Sequence, residues 1–172
     1  MLRLFKKILT TGVVTEPFAA HGNEAELEQL GIEIKSHIDK QFSGSIAIRQ
    51  VDAGSCNGCE LEIHALNNPF YDIERFGIHF VASPRHADVL LVTGPVSRHM
   101  QTALLRTYEA TPNPKWVVAA GDCAACGGEF GVSYASCGAV SNVIPVDVVI
   151  PGCPPTPLAL MKGLLGLINA KK

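Results

Sequence analysis

Charged residues are scarce in this sequence. Asp, Glu, Lys and Arg make up 17% of its 172 residues, against about 25% in an average soluble protein. We interpret this shortage as surface that is covered by partner subunits rather than by water. The net charge of −2 shows none of the basic excess that nucleic-acid-binding proteins carry. We therefore expect no nucleic acid among the partners.

Long apolar runs are also missing. No stretch approaches the roughly 20 apolar residues of a membrane-spanning helix. The N-terminal segment has no uninterrupted apolar core and no twin arginine, so we predict no signal peptide. Without an export signal, the six cysteines are expected in a reducing compartment, where metal binding is more frequent than disulfide formation.

The motifs of a self-contained enzyme are absent as well. The sequence has no glycine-rich phosphate loop, no nucleophile triad and no flavin signature, so we assign it no catalytic residue. The histidines between residues 64 and 99 show no HxxxH or HxH spacing, and none is predicted as a metal ligand. Glu60 and Glu62 are predicted to complement the dipole at the start of a helix.

Apolar segments typical of strands alternate with helical segments from residue 46 onward. Five strands are predicted, over residues 46–51, 78–83, 87–94, 115–121 and 147–152. Helices are predicted after residue 55 and over residues 97–111 and 156–170. This alternation is typical of an α/β fold, in which a mostly parallel sheet has helices on both faces.

The N-terminal part of the chain differs from the rest. We predict that residues 1–44 form an amphipathic arm and helix, and that residues 45–172 form the main domain. Three basic residues within residues 1–9 alternate with apolar ones. This short segment could lie on a membrane surface, dock on a partner or pack on its own domain. Residues 10–22 are predicted to be extended, and residues 23–42 to form one helix or two short ones.

Two cysteines lie three residues apart where a loop leads into a helix. Cys56 and Cys59 follow the first predicted strand, and Ser55 is the predicted N-cap of the helix. Both cysteines are expected on one face of the helix start. The positive end of the helix dipole would favour the thiolate form that metals bind.

Two further cysteines follow other strands. Cys123 comes after the fourth predicted strand and Cys153 after the fifth. Because the carboxyl ends of parallel strands share one edge, where ligand sites form, we expect both to meet Cys56 and Cys59 there. Cys126 makes a second CxxC with Cys123 and is a rival ligand. The alternative is that Cys126, like Cys137, is a small buried side chain.

Four thiolates suit either a zinc ion or a 4Fe–4S cluster. Structural zinc sites usually use two close cysteine pairs, whereas here the cysteines are spread along the edge of a sheet. Glycines at positions 121, 127, 128 and 152 are expected to let backbone N–H groups approach sulfur, which tunes cluster potentials. Pro154, directly after Cys153, matches the Cys-Pro ending of ferredoxin motifs. These features favour the cluster.

Four stretches of the sequence resemble a known family in the same order, namely GSCNGCELEI, DIERFGIHFVASPRHADVLLVTGPV, PNPKWVVAAGDCA and NVIPVDVVIPGCPPTP. The family is the small electron-transfer subunit of energy-converting membrane-bound nickel–iron hydrogenases and formate hydrogenlyase, which is shared with the 20 kDa subunit of complex I. The resemblance covers roughly residues 46–168. It implies a flavodoxin-like fold and one 4Fe–4S cluster. The ligands that it implies are Cys56, Cys59, Cys123 and Cys153, and position 126 is not a ligand in the family.

The first motif separates the branches of this family. Complex I relatives usually carry two adjacent cysteines there, whereas the hydrogenase type carries CxGC, as in the CNGC of residues 56–59. The chain is therefore similar to the hydrogenase branch. The resemblance implies an electron relay next to a nickel–iron site in a hydrogenase-like large subunit, with a ferredoxin-like iron–sulfur subunit and membrane subunits as further partners. It also implies a peripheral location on the cytoplasmic face of the cell membrane.

Two alternatives stay open for this chain. One is a complex I-type NADH/quinone oxidoreductase subunit, in which the same cluster donates electrons to quinone. The other is a zinc-binding scaffold subunit that keeps the fold and uses its four cysteines for one zinc ion.

Overall fold

Five parallel strands form the centre of the protein. The structure is a computed structural model, which describes residues 2–11 and 23–169. The strands are β1 (Ile46–Asp52), β2 (Ile78–Phe80), β3 (Val89–Thr93), β4 (Trp116–Ala120) and β5 (Val148–Ile150). Their spatial order is β2-β1-β3-β4-β5, which is the flavodoxin-like order of doubly wound sheets. The predicted α/β, flavodoxin-like fold class is confirmed.

Helices connect most of these strands, although a short 3-10 turn joins β2 to β3 and two helices precede β1. Within the described residues the α-helices are α1 (Leu2–Thr11), α2 (Asn23–Gln41), α3 (Gly58–Ala65), α4 (Arg98–Ala110), α5 (Asp122–Cys126) and α6 (Pro157–Asn169). Since the chain runs from β1 to β2 on one side and returns to β3 on the other, the strand order reverses between β1 and β3. Ligands of such sheets bind beyond the carboxyl ends of the strands near this reversal.

The sheet is buried on both faces. Along β3, Val89 and Leu91 belong to the core that α2 and α6 cover, whereas Leu90 and Val92 belong to the core that α4 covers. All four side chains are fully buried. A strand that is covered on both sides needs an unbroken apolar run rather than an alternating one, and this explains the sequence VLLV.

Helix α2 is one continuous helix with one apolar face. Leu27, Leu30, Ile34 and Ile38 are buried and recur every three or four residues, as one face of an amphipathic helix requires. They share a core cluster with residues of the sheet and of α6. The predicted division of the chain after residue 44 stays a proposal, and α2 contributes to the core of the part that follows it.

Strand β2 is shorter than predicted. It ends at Phe80, and the Val81 N–H still donates to the Ile48 carbonyl at 2.9 Å. The Ser83 hydroxyl then accepts the Arg85 N–H at 3.3 Å and begins a turn. The last residues of β1 therefore pair with β3 and not with β2.

The predicted N-terminal amphipathic segment forms α1. Of the stretch predicted to be extended, residues 10–22, the first two residues end α1. The remainder lies outside the described residues.

Candidate metal centre

The loop after β1 carries the first two cysteines. Asp52 Oδ1 accepts hydrogen bonds from the N–H groups of Gly54 and Ser55, both at 2.8 Å. The Ser55 hydroxyl accepts the Asn57 N–H at 3.1 Å. Side-chain oxygens that bond the backbone two or three residues ahead are typical of turns. These bonds shape the loop locally, before the helix begins.

Helix α3 begins two residues later than predicted. Its first residue is Gly58, and its N-cap is Asn57, which is left-handed (φ 72°) and makes no side-chain cap. The prediction of Ser55 as N-cap is wrong because its hydroxyl is used within the loop. Cys56 is exposed in the loop, whereas Cys59 is buried in the first helical turn. The two cysteines therefore do not share a helical face.

The loops after β4 and β5 carry the next two cysteines and are hydrogen-bonded to each other. The Asp122 N–H donates to the Gly152 carbonyl at 2.9 Å. The Gly152 N–H donates in return to Asp122 Oδ1 at 2.8 Å. Cys123 follows Asp122 directly, and Cys153 follows Gly152. This reciprocal pair fixes the positions of the two cysteines relative to each other.

Cysteines from three strand ends surround one cavity. We call Cys56, Cys59, Cys123 and Cys153 the cysteine quartet. All four line a cavity of about 140 Å³. The rest of its wall consists of Ser55, Gly58, Gly94, Asp122, Gly152 and Pro154. Within residues 2–11 and 23–169, no three His, Cys, Asp or Glu side chains are placed to bind one metal ion.

Burial and mutual repulsion keep the deeper thiols protonated. The pKa of Cys59 is raised from the ordinary 9.0 to about 11, first by burial, then by the Glu60 carboxylate and by the other quartet cysteines. The pKa of Cys123 is also raised, first by burial and then by Cys153 and Cys56. For Cys59, the expectation that the helix start favours the thiolate is therefore wrong. A metal that binds the two thiols must displace their protons.

Two glycines make room for quartet sulfur atoms. A Cβ atom at Gly121 would lie 2.7 Å from Cys59 Sγ, and one at Gly128 would lie 2.7 Å from Cys123 Sγ. Both glycines have positive φ angles, of 88° and 54°, which other residues rarely adopt. Sulfur thus occupies the space that a side chain would need.

The glycine N–H groups do not act as predicted. Those of Gly121, Gly127 and Gly152 all donate to oxygen atoms, at 2.8, 2.9 and 2.8 Å respectively. For these three glycines, the expectation that the N–H groups approach sulfur is wrong. Their contribution to the site is backbone shape and space.

Comparison with known proteins identifies the family. The sequence pattern of the family described as NADH ubiquinone oxidoreductase, 20 Kd subunit, matches residues 56–167. The chain belongs to this family. The matched range contains the whole quartet, and it confirms the resemblance on which the sequence-based prediction of the family depends.

Two curated proteins and one solved structure are similar to this chain. The chain is 46% identical to formate hydrogenlyase subunit 7 of Escherichia coli over 80% of its own length and 55% of that protein. It is 44% identical to the probable membrane-bound hydrogenase subunit mbhJ of Pyrococcus furiosus, over 83% and 85% of the two chains. A solved structure, of the archaeal respiratory complex membrane-bound sulfane sulfur reductase, matches with 38% identity and a TM-score of 0.64, covering 74% of this chain and 72% of that one.

The other two cysteines of this chain, Cys126 and Cys137, lie outside the cavity wall. Cys126 is exposed, and its thiol donates to the Asp122 carbonyl at 3.2 Å. The expectation of a buried side chain is therefore wrong for Cys126. Cys137 is buried as expected, and its thiol donates to Gln101 Oε1 at 3.5 Å.

Sequence reasoning missed the burial of Glu60. This carboxylate is only 6% exposed, whereas the sequence predicted only that it would complement the helix dipole. The Thr93 hydroxyl donates to Glu60 Oε1, and Oε2 has no hydrogen-bond partner within the described part of the chain. Leu61, the next residue, is 64% exposed instead. An apolar residue outside and a carboxylate inside reverse the usual pattern, so residue type alone gave no signal here.

Proposed function

We propose that the quartet binds one 4Fe–4S cluster and that the chain is the electron-relay subunit of a membrane-bound hydrogenase or formate hydrogenlyase-like complex. The observation that carries this proposal is the meeting of four cysteines, from three strand ends, at one cavity of about 140 Å³. The cluster would be proximal to a nickel–iron site in a partner large subunit. The chain would then contribute electron transfer to an oxidoreductase whose catalytic residues lie elsewhere.

The cavity fits a cluster better than a zinc ion. One water-sized group needs about 10–15 Å³ of such space, so the cavity is roughly tenfold larger than a single small group requires. Zinc gathers four ligands at one point, with about 2.3 Å to each sulfur. A 4Fe–4S cube instead spreads its four thiolate ligands around a volume. The quartet lines such a volume.

When bound, the cluster would take up and release single electrons. The quartet would hold it, and the packed backbone beside Cys59 would keep water from its inner side, since Gly121, next to Cys59 Sγ, is also buried. Cys56 and Cys153 are exposed. The outer side of the site is therefore open, and a second subunit is needed to cover it.

The partners that we propose are a nickel–iron hydrogenase-like large subunit, a ferredoxin-like iron–sulfur subunit and membrane subunits on the cytoplasmic face of the membrane. The names of the hydrogenase and formate hydrogenlyase relatives support this assembly. Large apolar side chains in the loop after α5 also support it, because Phe130, Val132 and Tyr134 are 65%, 70% and 98% exposed. Exposed apolar patches of this kind mark protein contacts.

The membrane subunits would hold the chain at the membrane. In the described residues, no helix has both the length and the apolar character of a membrane span.

A second candidate is the same relay in a sulfur-reducing membrane complex. The 38% identity and TM-score of 0.64 to a chain of the sulfane sulfur reductase favour it. The relay chemistry of this chain would be unchanged, and only the active site of the partner would differ. The quinone-reducing alternative has the family description in its support, whereas the CNGC spacing of residues 56–59 favours the hydrogenase branch.

Metal analysis of the anaerobically purified complex tests the cluster. Beyond the iron of the partner subunits, we expect about four iron atoms for each copy of this chain, together with a cubane-type electron paramagnetic resonance signal after reduction. Serine at any quartet position should lower the iron content, whereas Cys126→Ser and Cys137→Ser should leave it unchanged. Zinc in place of iron would contradict the cluster, and iron loss in Cys126→Ser but not in Cys123→Ser would contradict the ligand set.

The same preparation distinguishes the two complexes. Nickel together with hydrogen oxidation identifies the hydrogenase type, whereas sulfur reduction without nickel identifies the sulfur-reducing type. A complex that reduced quinone without nickel would contradict both and support the complex I-type alternative.

A further inference from the structure

Helix α1 separates apolar and basic residues onto opposite sides of a ten-residue helix. At 3.6 residues per turn, positions 2, 4, 5, 8 and 9 fall on one continuous arc of the backbone. All five are leucine, isoleucine or phenylalanine. Arg3, Lys6 and Lys7 fall on the other arc. This arrangement is typical of helices that lie in the plane of a membrane surface.

On both arcs, the side chains that the structure describes are exposed to solvent. The ring of Phe5, at the middle of the apolar arc, is 63% exposed. Arg3, Lys6 and Lys7 are exposed as well, and none of them pairs with an acidic side chain in residues 2–11 or 23–169. At Phe5, therefore, the apolar arc is not packed on the domain.

The two threonine hydroxyls in the last turn of α1 are hydrogen-bonded within the helix. The Thr10 hydroxyl donates to the Lys6 carbonyl at 2.8 Å, and the Thr11 hydroxyl donates to the Lys7 carbonyl at 2.6 Å. Both carbonyls lie one turn before the helix end, so what these bonds satisfy is the two hydroxyl donors. With these bonds in place, the last turn can approach an apolar layer at a smaller desolvation cost.

The charge of α1 identifies the surface that it fits. The first acidic residue of the sequence is Glu16, so three basic side chains stand without acidic neighbours in sequence. The whole chain has a net charge of −2, and the part outside α1 is correspondingly more acidic. An anionic surface would therefore attract α1 and repel the rest of the domain, which orients the chain.

We propose that α1 binds anionic phospholipid, with its apolar arc in the headgroup–acyl boundary and its basic arc at the phosphates. This inference rests on the proposed function, because it concerns the membrane at which that complex works. It adds that this chain touches lipid itself. A helix of this length binds weakly alone, and it acts together with the membrane subunits because linked contacts reinforce each other.

Vesicle flotation of the full chain, purified anaerobically, tests the proposal. Flotation excludes aggregates, which do not rise with lipid. We expect binding to phosphatidylcholine vesicles that contain phosphatidylglycerol, much weaker binding to pure phosphatidylcholine, and weakening by salt. The variant Lys6→Gln/Lys7→Gln should bind about 25-fold more weakly, since each basic side chain contributes about fivefold.

A matched control and a second readout complete the test. Lys40→Gln/Arg106→Gln also removes two exposed basic residues and should bind like the unaltered chain. Phe5→Trp should show a blue-shifted emission on anionic vesicles only. Equal binding to both vesicle types, or unchanged binding of Lys6→Gln/Lys7→Gln, would overturn the proposal. So would binding of α1 only to a purified membrane subunit.

Iron content is measured on the same samples. Lost vesicle binding in the Lys6→Gln/Lys7→Gln variant with unchanged iron supports the lipid contact and leaves the relay function intact. Normal vesicle binding by a chain without iron would instead contradict the relay function alone.

Discussion

At the scale of single residues, the surroundings of Cys59 determine the protonation and the reactivity of its thiol. Its thiol is buried beside a carboxylate and three other cysteines, and its pKa of about 11 keeps it protonated at neutral pH. A buried protonated thiol is slow to react with alkylating agents or oxidants. The deepest cysteine of the quartet is therefore protected, and under the proposed function it would stay so until a metal displaces its proton.

We predict that Cys59 reacts most slowly of the quartet when the cluster-free chain is treated with iodoacetamide. Its rate should rise with pH up to about 11, and Glu60→Gln should lower its pKa and speed the reaction. Peptide mass spectrometry measures each site. Glu62→Gln is the control, because Glu62 is not among the groups that shift this pKa. Equal rates at Cys56 and Cys59 would contradict the account.

The same pKa has a consequence for stability with a definite sign. Below about pH 9 the Cys59 thiol is protonated in both the folded and the unfolded chain. Between 9.0 and about 11 the unfolded thiol ionises first, so the free energy of unfolding of the cluster-free chain falls as pH rises. Cys59→Ala should flatten this fall in a denaturant titration.

Glycine substitutions test the space beside the sulfur atoms. Gly121→Ala places a methyl group 2.7 Å from Cys59 Sγ and should prevent cluster assembly. Gly166→Ala, in α6, meets nothing within 4 Å and should keep full iron content, with a stability gain of up to about 1 kcal/mol. Iron analysis and thermal unfolding check both variants. Full iron content in Gly121→Ala would contradict the prediction, because it would mean that the backbone can shift away from Cys59 Sγ.

At the scale of elements, the loops after β4 and β5 act as a pair. We predict that Asp122→Ala lowers iron occupancy, because it leaves the Gly152 N–H without its acceptor. Asp122→Asn keeps a carbonyl oxygen at the same position and should retain most of the iron. Occupancy is measured at limiting iron, where weaker binding becomes visible. Similar losses in both variants would point to the charge rather than the hydrogen bond.

Helix α2 offers a matched pair of substitutions on its two faces. Ile34 is fully buried and Ile32 is 59% exposed. Ile34→Ala should cost about 2–5 kcal/mol in the free energy of unfolding, whereas Ile32→Ala should change it by less than about 0.5 kcal/mol. Denaturant titration of the whole chain measures both. If Ile34→Ala left the main transition unchanged, α2 would be a separate unit, as a boundary at residue 44 would have it.

The sequence predicted the elements better than the details of the site. Apolar runs place β3 and β4 because a strand buried on both faces must be continuously apolar. The alternation of strands and helices then implies a common edge for the cysteine loops. The start of α3 was missed because Ser55 bonds within its loop instead of capping the helix. Glu60 was missed because its burial depends on Thr93, which belongs to a strand that is distant in sequence.

At the scale of the whole molecule, the open side of the quartet determines how the subunit behaves alone. Cys56 and Cys153 are exposed, and the large apolar side chains after α5 are exposed with them. We predict that the isolated chain loses iron in air and associates non-specifically, whereas the assembled complex retains its iron. Iron release followed by absorbance, with size-exclusion chromatography, compares the two forms. An isolated chain that stays monomeric and iron-replete in air would contradict a buried relay.

The position of β5 has a consequence for biosynthesis. It is the last strand in the chain and lies at one edge of the sheet, and the loop that follows it supplies Cys153. A ribosome therefore releases three quartet cysteines long before the fourth. Until β5 joins β4, the Asp122 carboxylate cannot accept its hydrogen bond from the Gly152 N–H, and the cavity lacks one wall. A truncated or misfolded chain thus presents an incomplete quartet. Under the proposed function, iron would be committed only to chains that have finished folding.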